Sequence, residues 1–227
     1  MKNQKNSVNE RKRVENNITE IVFIIDRSGS MAGFEKDTVG GFNSTIERQK
    51  KLQKEKGGTV YVSTVLFNTY TEVVHDRVPL EKVEPLTEDS YRVGGCTALL
   101  DAVGGAIKHI GNIHKYARAE DVPEHTMVII TTDGEENSSR KYTKADVKAS
   151  IKRQSEEYGW EFIFLAANID AVSAAGGIGI RSERAVNYMQ DSDGVEATYD
   201  AMSEAITALR CKQSLDSAQW RRCLDKN

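Results

Sequence analysis

The stretch from Ile21 to Met31 places the strongest limits on how this chain can fold. It begins with five consecutive apolar residues, Ile21-Val22-Phe23-Ile24-Ile25, and runs directly into Asp26-Arg27-Ser28-Gly29-Ser30. A short apolar run of this kind is typical of a strand buried on both faces, as in a parallel sheet covered by helices. The polar residues after it then lie at the carboxyl end of the strand, where open α/β sheets place their binding sites.

The rest of the sequence alternates between strand and helix patterns. Gly40-Gly41 falls inside the first helix pattern and predicts close packing of that turn against the sheet. Alternating strands and helices indicate a doubly wound α/β fold, with a mostly parallel sheet, one short antiparallel edge strand and helices on both faces. Beyond the first strand, the expected strands cover 59–67, 70–75, 125–132, 160–167 and 185–188. The expected helices cover 34–54, 99–110, 143–158, 170–175 and 193–209.

The 227 residues are expected to form one main domain. Its predicted limits are residues 18–210, since no linker or shift in composition divides this range. Residues 1–17 are polar and charged, and they are expected to be a disordered tail. Residues 211–227 are expected to be a C-terminal extension with a short helix packed by Trp220 and Leu224.

Charge and cysteine content narrow the classes of function. The net charge of −3 gives no electrostatic reason to expect nucleic-acid or membrane binding. The amino terminus has no apolar segment of the kind that a signal peptide requires. The three cysteines form no CxxC pair, which favours a cytoplasmic protein with reduced thiols.

Hydroxyl and carboxylate side chains recur where predicted strands end. Asp26, Ser28 and Ser30 follow the first strand, Thr97 lies on a glycine-rich loop before a helix, and Asp133 follows the strand at 125–132. The carboxyl ends of parallel strands share one edge of a sheet, so these loops are expected to converge. Oxygen ligands of this type suit a hard cation that keeps some of its waters, and Mg²⁺ or Mn²⁺ is therefore expected.

Other residues near these loops are candidates for supporting roles. Asp101 lies one helical turn beyond Thr97, where it could orient a ligand hydroxyl or occupy a solvated helix position. Arg27, Met31 and Glu135 flank the loops and are expected on the rim that a partner touches.

At these residues the chain resembles the von Willebrand factor A domain family over roughly 19–209. Asp26-Arg27-Ser28-Gly29-Ser30 matches the DxSxS motif of the family, and Thr97 and Asp133 match its second and third metal-binding loops. The resemblance implies an intact metal-ion-dependent adhesion site, in which an aspartate or glutamate of a partner protein completes the metal coordination. The chain is most similar to the intracellular bacterial and phage type. Association with an AAA+ ATPase complex is expected only by analogy with intracellular members.

Three functional readings follow from the residues. The first is a non-enzymatic module that binds a partner carboxylate through the metal, and it is favoured because no nucleophile–base pair is recognisable. The second is a metal-dependent phosphoesterase or nucleotide-handling α/β enzyme that uses the same cation as a Lewis acid. The third is a scaffold that binds partners through other surfaces. The sequence contains neither a P-loop nor a GxSxG serine motif.

Overall fold

The computed structural model describes residues 15–215 and 218–224. Within these residues, six strands form one sheet in the order β3-β2-β1-β4-β5-β6. All neighbouring strands are parallel except β2 and β3, which are antiparallel. The predicted doubly wound fold is therefore confirmed. The strands are β1 Ile18–Asp26, β2 Thr59–Phe67, β3 Thr71–Pro79, β4 His125–Thr132, β5 Glu161–Ala166 and β6 Ala185–Asn187.

Helices cover both faces of the sheet and create two hydrophobic cores. Residues 21–25 of β1 are at most 1% exposed, because β1 lies between β2 and β4 and alternate side chains enter opposite cores. One core includes residues of α1 and α5, and the other includes residues of α2, α3 and α4. The helices are α1 Glu35–Lys56, α2 Leu99–Tyr116, α3 Lys144–Tyr158, α4 Ala171–Gly177 and α5 Ser192–Arg210.

In the glycine pair of α1, Gly41 packs against a helix. The turn also packs on the sheet, as the sequence predicted, since the Phe42 ring lies 5.2 Å from the Phe23 ring of β1. A Cβ atom at Gly41 would lie 2.2 Å from Cδ2 of Tyr199 in α5. The glycine therefore lets the Tyr199 ring lie directly on the α1 backbone. Gly40 has no atom within 4 Å of the corresponding position, so only the second glycine is required by packing.

The antiparallel edge strand is longer than the sequence indicated. Pairing with β2 continues past an irregular register near Thr64 and ends where Tyr61 lies opposite Pro79. Pro79 is tolerated because it is the last residue of an edge strand, where no partner requires its missing N–H.

The domain limits predicted from the sequence stay a prediction. Asn16 donates hydrogen bonds of 2.8 Å to the carbonyls of Glu120 and Val122. At the other end, a 3₁₀ turn at Ala218–Arg221 buries Trp220. Residues 1–14 of the predicted tail, and 216–217 and 225–227 of the predicted extension, lie outside the described residues. None of the helices in the described ranges has the length and apolar character needed to cross a membrane.

Candidate metal centre

Three loops meet at the carboxyl edge of the sheet. The first loop, residues 27–31, follows β1; the second, residues 94–98, precedes α2; the third, residues 133–142, follows β4. The second loop is bonded to the first, since Gly29 N donates to Gly95 O at 3.1 Å. It is bonded to the third, since Asn137 N donates to Thr97 O at 3.0 Å and Asn137 Oδ1 accepts from Thr97 N at 2.9 Å. Backbone contacts therefore fix the three loops relative to one another.

Two serine hydroxyls and one carboxylate lie in direct contact at the centre of these loops. Ser28 Oγ is 3.1 Å from Ser30 Oγ, and Ser30 Oγ donates to Asp133 Oδ1 at 2.6 Å. Adjacent oxygen ligands of an octahedral Mg²⁺ with bonds of about 2.1 Å are about 3.0 Å apart. The spacing of the two serine hydroxyls is therefore suitable for adjacent ligand positions.

The Thr97 hydroxyl faces the same space from the second loop. A Cβ atom at Gly134 would lie 3.5 Å from Thr97 Oγ1 and 3.6 Å from Ser30 Oγ, so both hydroxyls lie around one point. Thr97 is 3% exposed. Within residues 15–215 and 218–224, no hydrogen bond occupies its hydroxyl, so its lone pairs are available to a ligand.

Asp26 lies beneath the hydroxyls and is fully buried. Its Oδ1 accepts from Ser28 N at 2.7 Å, and its Oδ2 accepts from Thr132 Oγ1 at 2.6 Å. The Tyr91 hydroxyl donates to the Asp26 carbonyl at 2.5 Å. Burial raises the pKa of Asp26 from 3.8 to about 6, although the hydrogen bonds from Thr132 and Ser28 oppose this shift.

Neither carboxylate has a positively charged partner among the residues that the structure describes. Burial also raises the pKa of Asp133, and in the described part of the chain neither Asp26 nor Asp133 forms a salt bridge. Buried carboxylates are normally paired with a cation or protonated, so the set of oxygens fits a bound metal ion. Among residues 15–215 and 218–224, no group of three or more His, Cys, Asp or Glu side chains is placed to hold a metal ion. The fit of a metal ion to this site therefore depends on the hydroxyls as well as on the carboxylates.

Several supporting residues were not recognised from the sequence. Thr132 holds Asp26, and Gln190 Nε2 donates to Asp133 Oδ2 at 2.6 Å. Glu136 Oε2 accepts from Leu100 N at 2.8 Å and so satisfies a free N–H in the first turn of α2. Of these three residues, only Thr132 could have been recognised from the sequence, because its hydroxyl lies at the end of a predicted strand.

Asp101 supports the third loop through the backbone. Its carboxylate accepts from the N–H groups of Arg140, Lys141 and Tyr142 at 2.8 to 2.9 Å. Burial has the largest single effect and raises the pKa of Asp101, but the three hydrogen bonds together outweigh it and lower the pKa below its usual value. Asp101 thereby fixes the far end of the loop that begins at Asp133.

The residues expected on the rim differ in exposure. Glu135 is exposed. The Arg27 side chain is 13% exposed and forms a 2.7 Å salt bridge with Glu72 of β3. The expectation that Met31 lies on the rim is wrong, because Met31 is 4% exposed and its side chain is buried in the protein interior.

Solved structures with a similar fold include von Willebrand factor A proteins and a minor pilin. A von Willebrand factor type A protein from Catenulispora acidiphila has a TM-score of 0.52 at 14% identity, over 82% of this chain and 42% of that one. The vWF domain of the type V pili tip protein Mfa5 from Porphyromonas gingivalis has a TM-score of 0.55 at 10% identity, over 83% of this chain and 95% of that one. The PilB minor pilin from Streptococcus sanguinis has a TM-score of 0.58 at 10% identity, over 83% of this chain and 61% of that one.

These comparisons establish the fold of the chain. It has a von Willebrand factor A-like fold. Neither the family models nor the curated protein sequences match the chain. The chain spans less than half of the Catenulispora protein and about three fifths of the pilin.

Proposed function

We propose that this chain is a metal-dependent protein-interaction module. Ser28, Ser30 and Thr97 would bind Mg²⁺ or Mn²⁺ directly, and Asp26 and Asp133 would act directly or through water. The metal would supply a Lewis-acidic position for an aspartate or glutamate carboxylate of a partner protein.

The observation that carries this proposal is the convergence of hydroxyls on two buried, unpaired carboxylates. Ser30 Oγ is 2.6 Å from Asp133 Oδ1 and 3.1 Å from Ser28 Oγ, while Asp26 is fully buried. A divalent cation neutralises the carboxylates, and the exposed Ser30 leaves it accessible from solvent. Carboxylate oxygens are among the hard ligands that Mg²⁺ accepts, so an aspartate or glutamate of a partner protein would complete its coordination.

The compartment and the partner remain proposals as well. A cytoplasmic location follows only from the sequence, since the solved neighbours include a pilin and a pili tip protein. Association with an AAA+ ATPase complex is proposed only by analogy with intracellular members of the class.

Calorimetric titration of Mg²⁺ into the EDTA-stripped full chain tests the metal site. Wild type is expected to bind one ion, and Asp133→Ala is expected to bind none. Asp200→Ala removes an exposed carboxylate that pairs with Arg48 between α1 and α5, so it should bind like wild type. Equal binding by wild type and Asp133→Ala would contradict the site.

The carboxylate position requires a second experiment. Acetate is titrated into the ¹⁵N-labelled chain with saturating Mg²⁺ or with EDTA, and acetamide is the matched neutral probe. Acetate should shift the resonances of residues 28–30 only with Mg²⁺, and acetamide should not shift them. Shifts of equal size in EDTA would contradict capture of a carboxylate by the metal.

A further inference from the structure

The loop between β6 and α5 reaches the centre of the candidate metal site. Gln190 lies immediately before Asp191, whose side chain caps α5 by accepting from Gly194 N at 2.7 Å. Gln190 Nε2 donates to Asp133 Oδ2 at 2.6 Å and to Ser30 O at 3.1 Å. The two hydrogens of one amide group therefore connect the first and third loops.

The acceptor end of the same amide is also occupied. Asn168, in the loop after β5, donates from Nδ2 to Gln190 Oε1. Asn168 has a φ of 56°, a left-handed conformation that asparagine tolerates better than most residues. The carbonyl and the NH₂ group of Gln190 are thus both used, which fixes the amide plane and the direction of both donors.

From these contacts we infer that Gln190 is a positioning residue of the metal site, and that Asn168 acts on the site through Gln190. The inference rests on the proposed metal function. Gln190 holds Asp133 Oδ2, which leaves Oδ1 directed at the Ser30 hydroxyl. It also fixes the backbone of the first loop at Ser30. Glutamine is suited to this role because it supplies two donors without adding charge beside two buried carboxylates.

Metal affinity in single and double variants tests this inference. Gln190→Ala should weaken Mg²⁺ binding about 10-fold, the lower end of the effect usual for groups that orient metal ligands. Asn168→Gly removes the amide while keeping the left-handed backbone unstrained, and it should give a smaller loss. The double variant should bind within about 2-fold of Gln190→Ala, because the second change removes nothing further.

A control and a spectroscopic measurement separate positioning from a general structural effect. Gln53→Ala removes an amide that donates to Gly58 O at 3.0 Å near the opposite edge of the sheet, and its Mg²⁺ affinity should equal that of wild type. The side-chain NH₂ resonance of Gln190, assigned by its loss in Gln190→Ala, should shift with Mg²⁺ over the concentration range in which the metal binds.

The possible results distinguish this inference from the proposed function. If wild type binds no Mg²⁺, the proposed function fails, and the inference fails with it. If wild type binds and Gln190→Ala binds equally well, or the Gln190 resonance does not move, only the inference is overturned. Independent losses in the double variant would overturn the role of Asn168. If Gln190→Ala does not fold, the Mg²⁺ affinity of Asn168→Gly decides, and an affinity equal to that of wild type overturns the inference.

Discussion

Neutralising Asp26 is expected to stabilise the metal-free chain while removing its response to metal. Asp26→Asn keeps the shape of a fully buried side chain and deletes its charge. The amide can still accept from Ser28 N, as Asp26 Oδ1 does at 2.7 Å. Thr132 Oγ1 has an alternative acceptor in Gly134 O at 3.1 Å. One hydrogen of the new amide can donate to Thr132 Oγ1, so Ser28 and Thr132 both keep a hydrogen-bond partner.

The expected gain follows from the raised pKa of Asp26. The pKa is 3.8 in the unfolded chain and about 6 in the folded chain. Between these values the folded chain holds a proton that the unfolded chain has lost, so stability falls as the pH rises through this window. At about 1.4 kcal/mol per pKa unit, the cost above pH 6 is about 3 kcal/mol. Asp26→Asn avoids this cost.

Urea unfolding in EDTA from pH 4 to 7.5 measures the effect. Asp26→Asn should be more stable than wild type by up to about 3 kcal/mol at pH 7.5, and the difference should disappear toward pH 4, where wild-type Asp26 is protonated. Taking the difference between the two proteins removes the contributions of the other carboxylates. Added Mg²⁺ should stabilise wild type alone. A variant that is less stable than wild type at pH 7.5 would refute the reasoning.

Three glycines give further predictions with clear geometry. Gly41→Ala should lower the free energy of unfolding in urea by about 1–3 kcal/mol, because its methyl group would overlap the Tyr199 ring. Gly40→Ala should raise the free energy of unfolding by about 1 kcal/mol in the same urea titration, because its methyl group would enter open space. Equal effects would contradict the packing. Gly134→Ala should fold normally, because its methyl group would make ordinary contacts of 3.5 Å with Thr97 Oγ1 and 3.6 Å with Ser30 Oγ. It should bind Mg²⁺ more weakly by calorimetry, because the methyl group would enter the space beside the hydroxyls that would hold the ion. Unchanged affinity would place the ion elsewhere.

The parts of the fold set by local chemistry could be predicted from the sequence. The apolar run at 21–25 predicted a central strand because only burial on both faces accommodates it. Thr143 was expected to begin a helix, and it forms a capping box with Asp146. The convergence of loops followed from the parallel sheet, since strand ends share an edge.

Contacts between distant parts of the chain could not be predicted. Gln190 and Ser30 are 160 positions apart, and no local pattern around Gln190 indicates that its amide reaches a carboxylate. The packing of Tyr199 on Gly41 is equally remote in sequence, so the glycine pair could be read only as a need for close packing. Met31 was misplaced because its sequence neighbours are polar loop residues, although an apolar side chain of this kind is usually buried.

An anomalous difference map from a crystal soaked in Mn²⁺ and acetate tests the central claim most directly. The account predicts one strong manganese peak bonded to the hydroxyls of Ser28, Ser30 and Thr97, with an acetate oxygen as a further ligand. Asp26 and Asp133 should lie beside the ion, directly bonded or linked through water. A soaked crystal with no peak among these residues, or with manganese bound only elsewhere, would contradict it.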